Sequence, residues 1–438
     1  MPVKASRYLT PLVILIDRDP LQMLYKLRVR MRSGVITACL CGSLLLSALV
    51  QPCLGRFVDS EPPRRMLGRP DNSSEFEMTF TPRTWRVDPA SGLLTLVQPI
   101  YPSDFELGQF HNQLRTMSHF FDSTSVKEFV LVTPSDQLRI LETFLQDFII
   151  GHLPNLPVFT MITDDECAPD VRNATVKDNR EVPIPGWVKQ QLLKLAAAGL
   201  MQTPYYMVMD SDVFFTKHCK AEDLFKVSAC TNSSLICDLH GKFAYQARND
   251  EFPIWSRNGD QKEWMRATAA TLKLHVPLDW RIAMGVTPQI FATDVPLQLS
   301  IWIQRRFRVT RWLQFLVEAL NESFTEANGW QLPWTEYNLY WIFAHHVGVW
   351  DNYHTGTPVL QGNAIWTADQ FDEWDVCKDT FESNTIPGEG FFSLVQSRMQ
   401  IDPAIIWEKI APCIGWSLPS EKPTYTSAAS RRAQRLKR

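Results

Sequence analysis

At 438 residues, 45% of them hydrophobic, the chain is long enough for one large domain or two ordinary ones with an ample core. Its 44 Lys+Arg against 47 Asp+Glu leave a formal net charge of −3, which gives no support for a nucleic-acid partner. The 15 Trp and 25 Phe are core material first, but sugar rings also stack on indole faces, which tilts the composition toward carbohydrate.

From Ser33 to Gly55 there is no charge, and the apolar interior VITACLCGSLLLSALV is long enough to cross a hydrocarbon core of about 30 Å as a helix. Lys26, Arg28, Arg30 and Arg32 crowd its amino-terminal side and favour a cytoplasmic amino terminus, although Arg56, Arg64, Arg65 and Arg69 follow it. The pattern predicts a cytoplasmic tail at 1–32 and a transmembrane signal anchor at 33–55, with a cleaved signal peptide as the competing reading. Either delivers the remainder to the secretory lumen; the anchor makes the chain a single-pass type II protein of the Golgi or ER membrane. Four N-x-S/T acceptors, at Asn72, Asn173, Asn232 and Asn321, agree with a lumen. Residues 56–90, rich in Pro, Arg, Ser and Asp, read as a stem.

Beyond the apolar segment six cysteines remain, which allow fifteen pairings; close spacing favours a bridge within Cys219, Cys230 and Cys237. None shows paired CxxC spacing, which argues against structural zinc.

A strand is predicted over Leu94 to Ile100, ending at Tyr101-Pro102-Ser103-Asp104, then a helix over Phe105 to Phe121. Glu128 to Val132 and Val158 to Ile162 read as further strands, with a helix over Gln137 to Ile149 between them. Such alternation predicts an α/β domain, a mostly parallel sheet flanked by helices, over 91–416. Later elements are a strand at Leu235 to Leu239, a helix at Lys262 to Leu274, a turn and strand at Ala283 to Ala292, one or two helices over Leu297 to Leu320 and a helix at Thr335 to Val347. No second domain is evident, and 417–438 reads as a disordered basic tail.

The stretch Gly186 to Lys217, GWVKQQLLKLAAAGLMQTPYYMVMDSDVFFTK, carries the chemistry. At about 100° per residue, Val188, Leu192, Leu193, Leu195, Ala196, Gly199 and Leu200 cover a broad apolar arc, leaving Trp187, Gln190, Gln191 and Lys194 on a narrow polar stripe. That stripe either faces solvent or lines a polar site. Tyr205 to Met209 is an apolar run fit for a buried parallel strand, and Asp210-Ser211-Asp212 follows at once, where open α/β sheets bind ligands. Alternation along an extended chain would point both carboxylates the same way, and a cation between them relieves their repulsion. Hard divalent cations bound to phosphates are held like this. Asp17-Arg18-Asp19 has the same spacing without the preceding strand, so context gives Asp210 and Asp212 their weight.

On LVQPIYPSD, on GWVKQQLLKL with YYMVMDSDVFF, on MGVTPQIFAT and on WTEYNLYWIF, the chain resembles glycosyltransferases of the GT-A fold over about residues 93 to 350. Within them it looks closest to a group of predicted glycosyltransferases catalogued as a domain of unknown function. The resemblance implies that a nucleotide-sugar donor approaches the end of the first strand at Tyr101, and that Asp210 and Asp212 hold Mn2+ or Mg2+ on its diphosphate. It implies a further metal ligand from a late histidine, His346, with His345 and His354 as alternatives. A leaving diphosphate needs a preorganised cation, which the metal with Lys189 or Lys194 can supply, while Gln190 and Gln191 are donor-side contacts. For an inverting transfer to a glycan, glycoprotein or glycolipid, the general base is Glu336 first, then Asp279 and Asp294. Glu336 is also well placed simply to favour a helix dipole.

Two rivals stand. Met207 to Val213 also resembles the nucleophile motif of haloacid-dehalogenase-like phosphatases, but there the motif ends the first strand of the core, and no downstream GDxxxD is visible here. The other is a lumenal glycan-binding protein of the same fold without turnover.

Overall fold

The computed structural model describes residues 94–171, 174–178, 180–227, 242–245, 260–276, 287–323, 332–355, 361–382 and 390–416, with short strands near the amino terminus and residues Phe80, Arg83 and Gly92. The main elements in order are β1 (Leu94–Pro99), α1 (Asp104–Phe120), β2 (Phe129–Thr133), α2 (Leu138–Phe144), β3 (Phe159–Thr163), α3 (Gly186–Ala196), β4 (Tyr205–Val208) and β5 (Val213–Phe215). There follow α4 (Asp260–Leu272), β6 (Gln289–Ala292), α5 (Asp294–Phe307), α6 (Trp312–Ser323) and α7 (Glu336–His346). The last are β7 (Gln361–Ile365), β8 (Phe392–Val395) and α8 (Pro403–Ile410).

Five strands form the central sheet in the order β6-β4-β1-β2-β3. All pairings are parallel except that of β6 with β4. The expected α/β architecture is therefore present, because runs such as LTLVQP, FVLVT and YYMV bury both faces of their strands beneath helices. Val188, Leu192, Leu193 and Leu195 turn the apolar side of α3 into the core.

α1 starts sharply, with Ser103 Oγ accepting from Glu106 N at 3.1 Å. From Leu107 to Ser118 it is buried on all sides, polar residues included. Buried polar groups need partners, and these reach far: Asn112 Nδ2 donates to Pro403 O (2.7 Å), Gln113 Nε2 to Asp210 O (2.8 Å), and Thr116 Oγ1 accepts from Phe215 N (3.0 Å). A Cβ on Gly108 would lie 2.8 Å from Pro403 Cγ, so a glycine lets α1 approach the start of α8.

The elements after β6 include a second, smaller core that the sequence did not announce. β5, β8 and β7 make a three-stranded sheet, with β8 central. Phe214, Ile365, Phe371, Trp374, Val395, Ile406, Trp407 and Ile410 pack together on one side of it. Val213 and Phe215 belong to the main core instead, so the alternation of β5 seats one strand in both. A disulfide joins Cys377 to Cys413, Cα atoms 5.0 Å apart, and closes this C-terminal unit.

Several expectations fall differently. Cys219 is buried and free, not bridged, because its strand Cys219–Lys220 pairs with Phe121–Asp122 and turns the thiol inward; Cys230 and Cys237 lie outside the described residues. The strand expected at Leu235 to Leu239 also lies outside them. Of the expected membrane segment, Gly34–Cys39 is a strand paired with Tyr25–Met31, and residues 40–55 lie outside the description. No helix among the described residues is long and apolar enough to cross a membrane. At the end of the stretch read as a stem, Phe80 meets the ring of Tyr353 edge-on, and Arg83 N donates to Asp294 Oδ2. Residues 417–438 lie outside the described part.

Candidate functional site

From β1 the chain moves outward through β2 to β3, then returns to place β4 on the other side of β1. Connections leaving in opposite directions part at the carboxyl ends of β1 and β4, and a crevice opens there. Tyr101 follows β1, and Asp210-Ser211-Asp212 follows β4.

The three residues form a turn, with Val213 N donating to Asp210 O at 3.3 Å, so the extended alternation expected from the sequence does not apply. The turn is held from both sides. Asp210 O accepts from Gln113 of α1, and Asp212 O accepts from Val395 N at 3.1 Å. Asp212 Oδ2 accepts from Ser397 N at 2.9 Å. Asp212 Oδ1 is buried with no hydrogen-bond partner among the described residues. Burial first, and then the charge of Asp210, pushes the Asp212 carboxyl up to about 7.

The polar stripe of α3 faces this turn. Lys194 Nζ lies 2.8 Å from Asp210 Oδ1 and 3.1 Å from Glu336 Oε1, and 5.4 Å from the centre of the Tyr337 ring. Burial works against its charge, but Asp210, Tyr337 and Glu336 together hold the ammonium well above its ordinary range. Gln191 Oε1 accepts from Glu336 N at 3.2 Å, and Tyr206 Oη donates to Lys194 O at 3.0 Å. Burial raises the Glu336 carboxyl, and the neighbouring ammonium pulls it back. Lys189 Nζ pairs with Asp164, just beyond β3, and Gln190 is half-buried on the same helix. The Arg398 guanidinium lies over the Trp187 ring, 5.6 Å from its centre. Tyr101 is half-buried near Asp164, and burial first, then that carboxylate, pushes its phenol up.

Glu106, on the first turn of α1, was not singled out from the sequence. Its Oε1 accepts from Ser211 Oγ at 2.7 Å, and burial raises the carboxyl to about 7, with Asp210 adding to the effect. The signal was visible as Ser103-x-x-Glu106, but that spacing reads as a helix cap. Ser397 gave no sequence signal, because it meets Asp212 across 185 residues, through its backbone N–H and with its hydroxyl also lowering the Asp212 carboxyl.

Other expected residues lie elsewhere. β6 runs antiparallel to β4, so Ala292 pairs with Tyr205, and Asp294 lies at the amino ends of the parallel strands. There it accepts from Tyr353 Oη and Arg83 N, both at 3.2 Å. His354 sits toward the same end, its Nε2 2.6 Å from Tyr340 Oη and its ring stacked on Trp350. Glu336 opens α7 and His346 closes it, which puts His346 about 15 Å farther along the axis at 1.5 Å per residue. His345 stacks on Trp350 there, and His346 lies edge-on to Trp302. None of the three histidines is brought to Asp212, and Asp279 lies outside the described residues.

Among the described residues no group of three or more His, Cys, Asp or Glu side chains is arranged to hold a metal ion unaided. A phosphate-bound cation needs less, since Mg2+ takes one or two carboxylates together with substrate oxygens and water. The unpartnered Oδ1 of Asp212 beside Asp210 fits that requirement.

Residues 105–417 match a family of unknown function, DUF6492, and the chain belongs to that family. No curated protein matches it. Among solved structures, the apo form of mouse xyloside xylosyltransferase 1 aligns with 70% of this chain and 98% of its own, at 12% identity and a TM-score of 0.37. The 4-diphosphocytidyl-2C-methyl-D-erythritol synthase of Anaerococcus prevotii aligns with 28% of this chain and 44% of its own, at 11% identity and a TM-score of 0.17.

Proposed function

We propose that the chain is a GT-A-like glycosyltransferase that moves a sugar from a nucleotide-diphosphate donor to a glycan, glycoprotein or glycolipid acceptor, with Mn2+ or Mg2+ on the diphosphate. The observation that carries this is the Asp210-Ser211-Asp212 turn at the switch point, with one buried Asp212 oxygen that has no hydrogen-bond partner among the described residues. A divalent ion there supplies positive charge to the departing diphosphate. Asp210 and Asp212 would hold it. Lys194, kept as an ammonium at the edge of the crevice, adds a fixed positive charge. Glu336 is buried and engaged by Lys194, so it serves to aim that ammonium; a base must be reachable by the acceptor hydroxyl.

Lys189, Gln190 and Gln191 lie on the same helix as Lys194, and with Tyr101 they form the donor side. The Cys377–Cys413 bridge supports an oxidising compartment, in keeping with a lumenal domain. Three sheet strands precede β4, whose end carries the Asp-x-Asp turn, and this weighs against a phosphatase reading.

The test is nucleotide release from a panel of nucleotide sugars by the purified full chain, with and without Mn2+. Metal-dependent release that Asp212→Asn lowers by at least a hundredfold, with no loss of melting temperature, is the expected result. Phosphomonoester cleavage, or full activity in Asp212→Asn, would overturn it.

A further inference from the structure

Asp212 is fixed by the C-terminal unit: Val395 N on its carbonyl and, across 185 residues of sequence, Ser397 N on its Oδ2. Ser397 opens a short helical turn, Ser397–Met399, that directly follows β8. The turn is anchored on its other sides as well. Gln396 N donates to Ile365 O at 2.9 Å, and the neighbouring Arg398 lies across Trp187 at the start of α3. Beneath it the second core and the Cys377–Cys413 bridge make the unit one body. α8 is fastened to α1 by the bond from Asn112 to Pro403 and by the Arg115 guanidinium 4.7 Å over Trp407.

From this geometry we infer that the Ser397–Met399 turn of the disulfide-closed C-terminal unit is the positioning element for Asp212, and that the Ser397 backbone N–H is its working group. The N–H occupies one carboxylate oxygen and leaves the other, the buried Oδ1, turned to the cation. Outer partners of this kind orient metal-ligating carboxylates, and their loss typically weakens metal binding by about 10- to 100-fold. The inference rests on the metal site proposed above, yet it concerns the C-terminal unit, which that proposal leaves without a role.

Two substitutions compared at one position isolate the bond. Ser397 is the first residue of its helical turn, where proline is accommodated because the N–H is not used within the turn. Gln396 has φ −54° and ψ 118°, outside the α region that a following proline disfavours. Ser397→Pro therefore deletes the N–H and the hydroxyl together with the turn intact, while Ser397→Ala keeps the N–H and removes only the hydroxyl, so the difference between the two variants is the N–H. Binding of Mn2+ alone to the full chain is read by electron paramagnetic resonance titration, alongside thermal melting.

The expected result is affinity lowered at least tenfold in Ser397→Pro and by a smaller factor in Ser397→Ala, with melting unchanged in both. Wild-type affinity in Ser397→Pro, or equal losses in the two variants, would overturn the inference. Binding that Asp212→Asn abolishes shows in the same titration that the metal site itself stands. Wild-type protein that binds no Mn2+ would overturn the proposed metal site and this inference together.

Discussion

Removing the Lys194 ammonium puts the charge balance of the site to a direct test. Its side chain is 4% exposed and that of Glu336 6%, so Lys194→Met leaves Glu336 buried without its cation, whereas Asp210, 31% exposed, can turn to water. Breaking a buried pair from one side costs roughly 3–5 kcal/mol, because the remaining charge is uncompensated. At about 2 cal/mol/K of unfolding entropy per residue over a domain of about 300 residues, each kcal/mol is worth about 1.5 °C, so the melting temperature falls by about 5–8 °C. Burial already raises the Glu336 carboxyl, and losing Lys194 raises it further, so the deficit shrinks as the acid protonates at lower pH. The double variant Lys194→Met, Glu336→Gln removes both charges and should lie within about 1 kcal/mol of the wild type, since replacing a whole buried pair is often neutral. Thermal melting and urea titration of both variants decide the matter. A single variant that loses under about 1 kcal/mol, or a double variant no more stable than the single, would refute the assignment of Lys194 as a buried bridge.

Two further outcomes follow. Asp212 rises to about 7 in the folded, metal-free protein; an acid with a raised folded value binds its proton more tightly when folded, so its cost is present above about pH 7 and disappears as pH falls toward its unfolded value near 4. Asp212→Asn should therefore melt above the metal-free wild type at about pH 8, with the gap narrowing below about pH 7 and closing near pH 4; a gap independent of pH would contradict this. His346→Ala, altering a residue at the far end of α7, should leave both Mn2+ affinity and nucleotide release within twofold of the wild type, and a loss of either would return that histidine to the metal.

What the sequence disclosed depended on how locally each feature was encoded. The buried strands were legible because each is a short continuous apolar run. The polar stripe of α3 was legible because its period is fixed by the helix, and Lys194 and Gln191 do face Asp210 and Glu336. Orientation was harder. The four residues of β6 read the same whichever way they run, and only the pairing of Ala292 with Tyr205 shows that Asp294 lies at the wrong end of the sheet. His346 was misplaced for a related reason, since motif proximity in the chain ignores the length of α7. The buried polar face of α1 was illegible because its partners are distant: Asn112 meets Pro403 291 residues later. The second core stayed hidden because its pieces, from Phe214 to Ile410, are brief and gain their partners only through β5.

The bond between Asp212 and Ser397 also orders events in time. Chains emerge from the ribosome amino end first, and early-made parts begin to fold before later ones exist. The five-stranded sheet needs nothing beyond residue 292 for its pairings. Asp212 must wait for residues 395–397 to be made before its carboxylate is oriented. A nascent or shortened chain can thus pair the sheet while leaving the proposed metal carboxylate loose, so orientation of Asp212 arrives as a late step, separate from assembly of the sheet.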